Sequence, residues 1–340
     1  MKKTAVILFN LGGPDNQAAV RPFLFNLFND KAIIRLPQPM RYFIAKMISS
    51  RRETTAKEIY AKLGGGSPIL KNTEDQARAL EQKLGAGFKC FIAMSYWHPF
   101  SHETARQVKD YAPDEIILLP LYPQFSTTTT ASSLASWKKS ARAVALTQPT
   151  KTICCYPTEN GFIETLAASI RKSFDEAKIH GIPRVLFSAH GLPEKIVQAG
   201  DPYQWQCERT AEALVKALNI PALDWRLCYQ SRVGPLKWIG PSTDEEVMRA
   251  GADKKPVVIA PIAFVSEHSE TLVEIDMEYR ELAKKHGVPF YAYVPTVSTS
   301  PDFIAGLAGL IQKAQNSSEN CLSGGSVLCP PEFSGCCRKN

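Results

Sequence analysis

Two apolar runs in the second half of the chain end on ionisable side chains. One reads Leu186-Phe187-Ser188-Ala189-His190-Gly191-Leu192-Pro193, and the other runs from Pro261 through Phe264, Glu267 and His268 to Glu270. An apolar run that stops on a His or Glu places that group at the carboxyl edge of a parallel sheet, where open α/β folds gather ligand chemistry. One imidazole and one carboxylate facing a shared cleft can hold a divalent metal, move protons, or do both. In a helical register Glu270, Glu274 and either Met277 or Glu278 share one face. Such an acidic row can relay protons or guide a cation inward. The plainer readings, a satisfied structural histidine and a solvated acidic face, stay open at this point.

Aromatic side chains recur at the same kind of place. Tyr96-Trp97-His98-Pro99, the stretch from Tyr122 to Thr130, the Gly- and aromatic-rich loop from Tyr229 to Pro241 that holds Trp238, and Phe264 each follow a strand-like run. Each alone reads as core packing, but together at strand ends they suggest a flat apolar ligand.

The elements that must position these residues are eight β-branched runs separated by helical segments: Val6 to Phe9, Cys90 to Tyr96, Glu115 to Leu119, Thr152 to Tyr156, Val185 to Ser188, Asp224 to Tyr229, Val257 to Ile262 and Phe290 to Val294. This alternation predicts an α/β protein of two similar doubly wound lobes, each with a four-stranded parallel sheet flanked by helices, and a cleft between their carboxyl edges. The first lobe is expected over 1–157, with an apolar and basic lip at about 31–50. The second is expected over 158–315 and carries His190 and Glu270; a cysteine-rich tail over 316–340 follows a polar linker.

The chain has 340 residues, with 40 Lys+Arg against 33 Asp+Glu, a net charge of +7. That mild basic bias suits an anionic small molecule or a lipid surface. It does not suit nucleic acid, because no basic stripe with interleaved aromatics occurs. The first apolar run is short and enters Asn10-Leu11-Gly12-Gly13-Pro14, which predicts a strand rather than a signal peptide, and no run approaches the ~20 apolar residues that span a bilayer. A cytoplasmic protein is expected, peripheral to the membrane at most through its lip. Of nine cysteines, Cys90, Cys154, Cys155, Cys207 and Cys228 lie in the body, whereas Cys321, Cys329, Cys336 and Cys337 crowd the last twenty residues. Body cysteines beside strands read as small buried hydrophobes, and the terminal four as metal ligands or thiols rather than disulfides.

The chain resembles the ferrochelatases over nearly its whole length. The resemblance is carried by Leu8-Phe9-Asn10-Leu11-Gly12-Gly13-Pro14, Gly64-Gly65-Gly66-Ser67-Pro68, Leu121-Tyr122-Pro123-Gln124, Phe187-Ser188-Ala189-His190-Gly191-Leu192-Pro193, Gly200-Asp201-Pro202-Tyr203, Gln230-Ser231-Arg232-Val233-Gly234-Pro235 and Pro261-Ile262-Ala263-Phe264. It implies insertion of Fe²⁺ into protoporphyrin IX in the last step of haem synthesis. By that match His190 is the active-site histidine and Glu270 the facing carboxylate, both within reach of the metal. Glu274 is a proton or metal relay, and Tyr96, Trp238, Phe264, His268 and Leu11 bind substrate. Ser95 stands where many relatives carry an arginine before the pocket tyrosine. The tail resembles the cysteine sets that bind a [2Fe-2S] cluster in some ferrochelatases, which would make Cys321, Cys329, Cys336 and Cys337 its ligands; a zinc site, or a ligand taken from a body cysteine such as Cys154 or Cys155, are the competing readings. A chelatase for coproporphyrin III and a haem or iron carrier without turnover are the alternatives in function.

Overall fold

The computed structural model describes residues 2–232, 236–325 and 329–336. All eight strands expected from the sequence form. In the first sheet they are β1 (Thr4–Asn10), β2 (Phe88–Met94), β3 (Glu115–Pro120) and β4 (Thr150–Cys155). The second contains β5 (Arg184–His190), β6 (Asp224–Gln230), β7 (Val257–Pro261) and β8 (Tyr291–Tyr293). Every residue of β1 is buried, as it must be in a parallel strand whose two faces are both covered.

The first sheet departs from expectation in having five strands, ordered β2-β1-β3-β4-β9, where β9 is Cys321–Ser323. Without β9, β4 would be an edge strand offering unpaired donors to solvent. The Thr152 amide donates to the Asn320 carbonyl at 2.8 Å. The Lys151 ammonium fastens the preceding turn through the carbonyls of Gln315 and Ser317, at 2.9 and 2.6 Å. A three-residue strand is too short to show a period of two, which is why the sequence reads there as a tail.

The chain divides into two compact units, Met1–Cys155 with Leu307–Leu322, and Tyr156–Gly306 with Ser323–Asn340. The helix Pro301–Asn316 therefore begins in the second unit and finishes in the first. The second sheet is ordered β6-β5-β7-β8 and is parallel throughout. Strand order reverses between β5 and β7, so the carboxyl ends of these two strands flank the switch point at which open α/β sheets bind ligands. β5 ends on His190, in register with Gln230 at the end of β6. In the first unit, Gly12 has φ +80°, and a Cβ there would lie 3.1 Å from the Trp97 amide nitrogen. A side chain at that position would push apart the loops after β1 and β2, which are joined by the Tyr96 amide donating to the Leu11 carbonyl at 2.9 Å.

Candidate active site

In the second unit the structure brings together His190, Glu270 and His268. Glu270 Oε2 lies 3.7 Å from His190 Nε2 and 3.8 Å from His268 Nε2, so one carboxylate oxygen faces two imidazoles just beyond hydrogen-bond distance. Both rings are oriented from behind: His190 Nδ1 is 2.6 Å from the Gly191 carbonyl and His268 Nδ1 is 3.1 Å from the Ser266 carbonyl. A carbonyl only accepts, so each Nδ1 carries the hydrogen, and in the neutral ring Nε2 presents its lone pair towards Glu270. His268 Nε2 and Glu270 Oε2 are buried without a hydrogen-bond partner. Buried polar atoms left in that state are uncommon in folded proteins and call for an explanation.

The two carboxylates are driven apart. Burial pushes Glu270 up, but the positive charge His190 carries when protonated, and then the His268 imidazole, more than offset it, and the carboxyl is held down to about 2. Burial also pushes Glu274 up, and there the Glu270 charge adds to it, so that Glu274 is raised in spite of its hydrogen bonds from Ser231. One group stays ionised while the other holds a proton more readily, the division of labour that acid–base sites use.

Glu270–Glu278 is a π-helix rather than the α-helix the sequence suggests. Its hydrogen bonds run from each residue to the fifth before it, and the Tyr279 amide accordingly donates to the Glu274 carbonyl. Tyr279 is thereby placed to donate its hydroxyl to Glu274 Oε1 at 3.1 Å. On the other side, the Ser231 amide donates to Oε1 at 2.8 Å and the Ser231 hydroxyl to Oε2. Ser231 has φ +60°, a left-handed conformation that costs a residue with a Cβ about 1–2 kcal/mol and clusters at functional sites. The acidic row expected along the helix stops at Glu274, because Met277 and Glu278 point to solvent.

Trp238 and Phe264 flank the pair. Trp238 bridges to Pro193, and a Cβ on Gly191 would lie 3.2 Å from its ring and 2.8 Å from the Gln230 carbonyl. The absent side chain lets the indole lie directly on the turn that follows His190. The Phe264 ring sits 4.6 Å from the His268 ring, centroid to centroid. Sequence reasoning singled out these six residues; it missed Ser231 and Tyr279. No local signal reveals them, since one depends on a backbone conformation and the other on the change of helical register.

Tyr96 and Leu11 belong to the first unit. Tyr96 is 4% exposed, packs with Val20, Phe23, Leu24 and Tyr60 alongside Leu11, and donates its hydroxyl to Asp30 Oδ2 at 2.8 Å. The same oxygen accepts from the Ser132 hydroxyl at 2.9 Å. A cavity of about 680 Å³ in this unit is lined by Asp30, Lys31, Arg35, Leu36, Thr127 and Ser132. It opens where the expected lip begins. Ser95 Oγ is 3.1 Å from Ser133 Oγ.

Three of the four tail cysteines lie within the described residues. Cys321 belongs to β9 and groups with the first unit, whereas Cys329 and Cys336 group with the second. Among the described residues no cluster of three or more His, Cys, Asp or Glu side chains is arranged to hold a metal. Cys337 lies outside the described residues. A plain cluster needs four thiolates, of which three fall within the described residues.

Comparison with solved structures supplies the fold. SirB from Bacillus subtilis with Fe³⁺ superposes with a TM-score of 0.53 at 10% identity, over 94% of this chain and 97% of that one. The sirohydrochlorin chelatase SirB in complex with cobalt gives 0.50 at 12% identity, over 92% and 96%. At such identities the likeness establishes the fold alone, which is that of the chelatases. The chain matches the ferrochelatase family model over residues 3–315. It is 55% identical to the ferrochelatase of Caulobacter vibrioides over 99% of this chain and 98% of that one, and 52% identical to that of Phenylobacterium zucineum over the same shares. The ferrochelatase of the Wolbachia of Drosophila simulans is 55% identical over 91% of this chain and 98% of its own. The chain belongs to the ferrochelatase family.

The two carboxyls should leave opposite marks on stability. Glu270, lowered in the fold, contributes stability that is present above its ordinary value of 4.5 and lost as pH falls towards about 2. Glu274, raised in the fold, is stabilised when protonated, and that contribution disappears as pH rises through its folded value. Thermal melting at pH 7.5 should therefore show Glu274→Gln raised by roughly 1–3 °C and Glu270→Gln lowered, with the Glu270→Gln deficit shrinking in acid. Equal shifts of one sign for both variants contradict the assignment.

Proposed function

We propose that the protein is a ferrochelatase that inserts Fe²⁺ into protoporphyrin IX to give protohaem, the last step of haem synthesis. Family membership supports the reaction. The observation that carries the mechanism is the Glu270 carboxylate set between His190 Nε2 and His268 Nε2. Metalation breaks two pyrrole N–H bonds, leaves both electron pairs on nitrogen for the metal and releases two protons. His190 Nε2, with its lone pair exposed by the Nδ1–H bond to Gly191, accepts a proton. Glu270, ionised, stabilises the imidazolium that forms; the first proton passes through Glu270 to Glu274, and His190, freed of it, accepts the second. His190 and Glu270 also offer nitrogen and oxygen to the incoming Fe²⁺, ligands that bind it without the grip of a thiolate. Trp238, Phe264 and His268 form the walls against which a flat macrocycle stacks. Tyr96, buried and tied to Asp30, contributes by holding Leu11 in place.

Two finer readings accompany this one. Ile33, Met40, Tyr42, Phe43 and Met47 are exposed, Phe43 to 69%, on or beside the helix Gln38–Ala61, and Lys46, Arg51 and Arg52 lie among them. Apolar side chains interleaved with basic ones suit peripheral contact with anionic lipid, while no described helix is long and apolar enough to cross a membrane. For the tail, a [2Fe-2S] cluster would draw on Cys321, Cys329, Cys336 and Cys337, the four thiolates that a plain cluster needs. Cys329 and Cys336 are held on the second unit by Gln206 Nε2, 3.1 Å from Cys329 Sγ, and by the Gly335 amide on the Gly200 carbonyl at 3.0 Å.

Purified protein given Zn²⁺ or Fe²⁺ with protoporphyrin IX should develop metalloporphyrin absorption, and His190→Ala should lose at least about 100-fold in kcat while still binding porphyrin. Faster turnover of coproporphyrin III would transfer the assignment to that substrate, and stoichiometric binding without turnover would make the protein a carrier. Anaerobically purified protein should contain iron and labile sulfide that Cys337→Ser abolishes; colourless protein free of both rejects the cluster. Sedimentation with phosphatidylglycerol-containing vesicles should fall when Phe43 and Met47 are both replaced by Ser, and equal sedimentation of the two proteins removes the membrane reading.

A further inference from the structure

Glu274 is held by more than its helix. Three donors converge on its two oxygens: the Ser231 amide, the Ser231 hydroxyl and the Tyr279 hydroxyl. They come from different elements, the loop after β6 and the residue that follows the π-helix. Each is in place through a local irregularity, the left-handed backbone at Ser231 and the i→i+5 register at Tyr279. A carboxylate that needed only to be solvated on a helix surface would require neither, and non-ideal geometry of this kind persists only where the surroundings enforce it. Tyr279 is 5% exposed. Its hydroxyl is thus committed to the interior, and the Glu274 oxygen is the partner the structure gives it.

We infer that Ser231 and Tyr279 are positioning residues for metalation, forming a clamp that fixes the Glu274 carboxyl one helical turn from Glu270 so that it can take the proton leaving that site. The inference rests on the ferrochelatase reading given above. Neither residue touches the porphyrin nitrogens in this scheme. A carboxylate that accepts three hydrogen bonds cannot turn away, so the transfer from Glu270 meets one fixed acceptor rather than a rotating one. No group other than those already in the site is consumed: the proton leaves Glu270, binds to a Glu274 oxygen, and the N–H electron pair stays with the macrocycle.

The test is steady-state metalation of protoporphyrin IX by Zn²⁺ with the unaltered full chain, Tyr279→Phe, Ser231→Gly, Glu274→Gln and the two double variants that contain Glu274→Gln. Ser231→Gly removes the hydroxyl while keeping a residue at ease at φ +60°, so it decides the question even where Tyr279→Phe fails to fold. Each clamp variant should lose about tenfold in kcat, as expected for the loss of a hydrogen bond to a charged group. The porphyrin KM, and porphyrin affinity measured by fluorescence titration, should stay unchanged. Combined with Glu274→Gln, the clamp variants should lose little more than Glu274→Gln alone, because all three changes disable the same acceptor. Folded variants with undiminished kcat overturn the inference, and so do losses that multiply in the double variants or that appear in KM and affinity instead. Absence of turnover in the unaltered chain sinks the reading on which the inference rests; turnover there with unaffected clamp variants sinks the inference alone.

Discussion

The constraint on which the second unit turns is an ionised carboxylate set between two imidazoles with no hydrogen bond to either. Glu270 is partly withdrawn from water, its side chain 29% exposed, and faces His190 and His268 at 3.7 and 3.8 Å, so a protonated imidazole offsets part of the cost of its charge. At those separations the attraction is electrostatic rather than a shared hydrogen. The elements around the site bear the cost: β5 must end on His190, and the loop after β7 must return His268 and Glu270 to it.

Glu274 shows the same residue type with the opposite outcome. Four residues on from Glu270, it faces the Glu270 charge, so burial and repulsion act together on it and outweigh the opposing effects of Ser231 and His190. Two carboxyls whose environments separate their proton affinities give a direction to proton flow that two equivalent ones would lack. The π-turn is what allows this without tearing the helix. It brings the fifth residue on, Tyr279, to the side on which Ser231 already sits.

How much of this could be read from the chain depends on how local the cause is. The strands were legible because burial on both faces demands unbroken apolar runs, and His190 because it terminates one of them before a Gly-Leu-Pro turn. The aromatic residues were legible as a group, but not their separate fates: Trp238 lies against Gly191 beside His190, whereas Tyr96 is core with its hydroxyl on Asp30. An α-helical wheel places Glu278 in line with Glu270 and leaves Tyr279 off that face, and the π-register reverses the two. Ser231 carries its role in a φ angle, which composition does not encode. β9 escaped because a strand of three residues has no period, and its pairing depends on an edge some 170 residues earlier.

The chemistry of the thiols completes the account. Cys207 and Cys228 are both fully buried in the second unit, and burial pushes Cys228 up to about 12 and Cys207 higher still. Burial thus disfavours the thiolate form of both. This matters because thiolates hold soft and borderline cations far more tightly than imidazole or carboxylate. A site meant to pass a metal to four pyrrole nitrogens has to lose it readily. Nitrogen and oxygen donors release such a metal more readily than thiolates do.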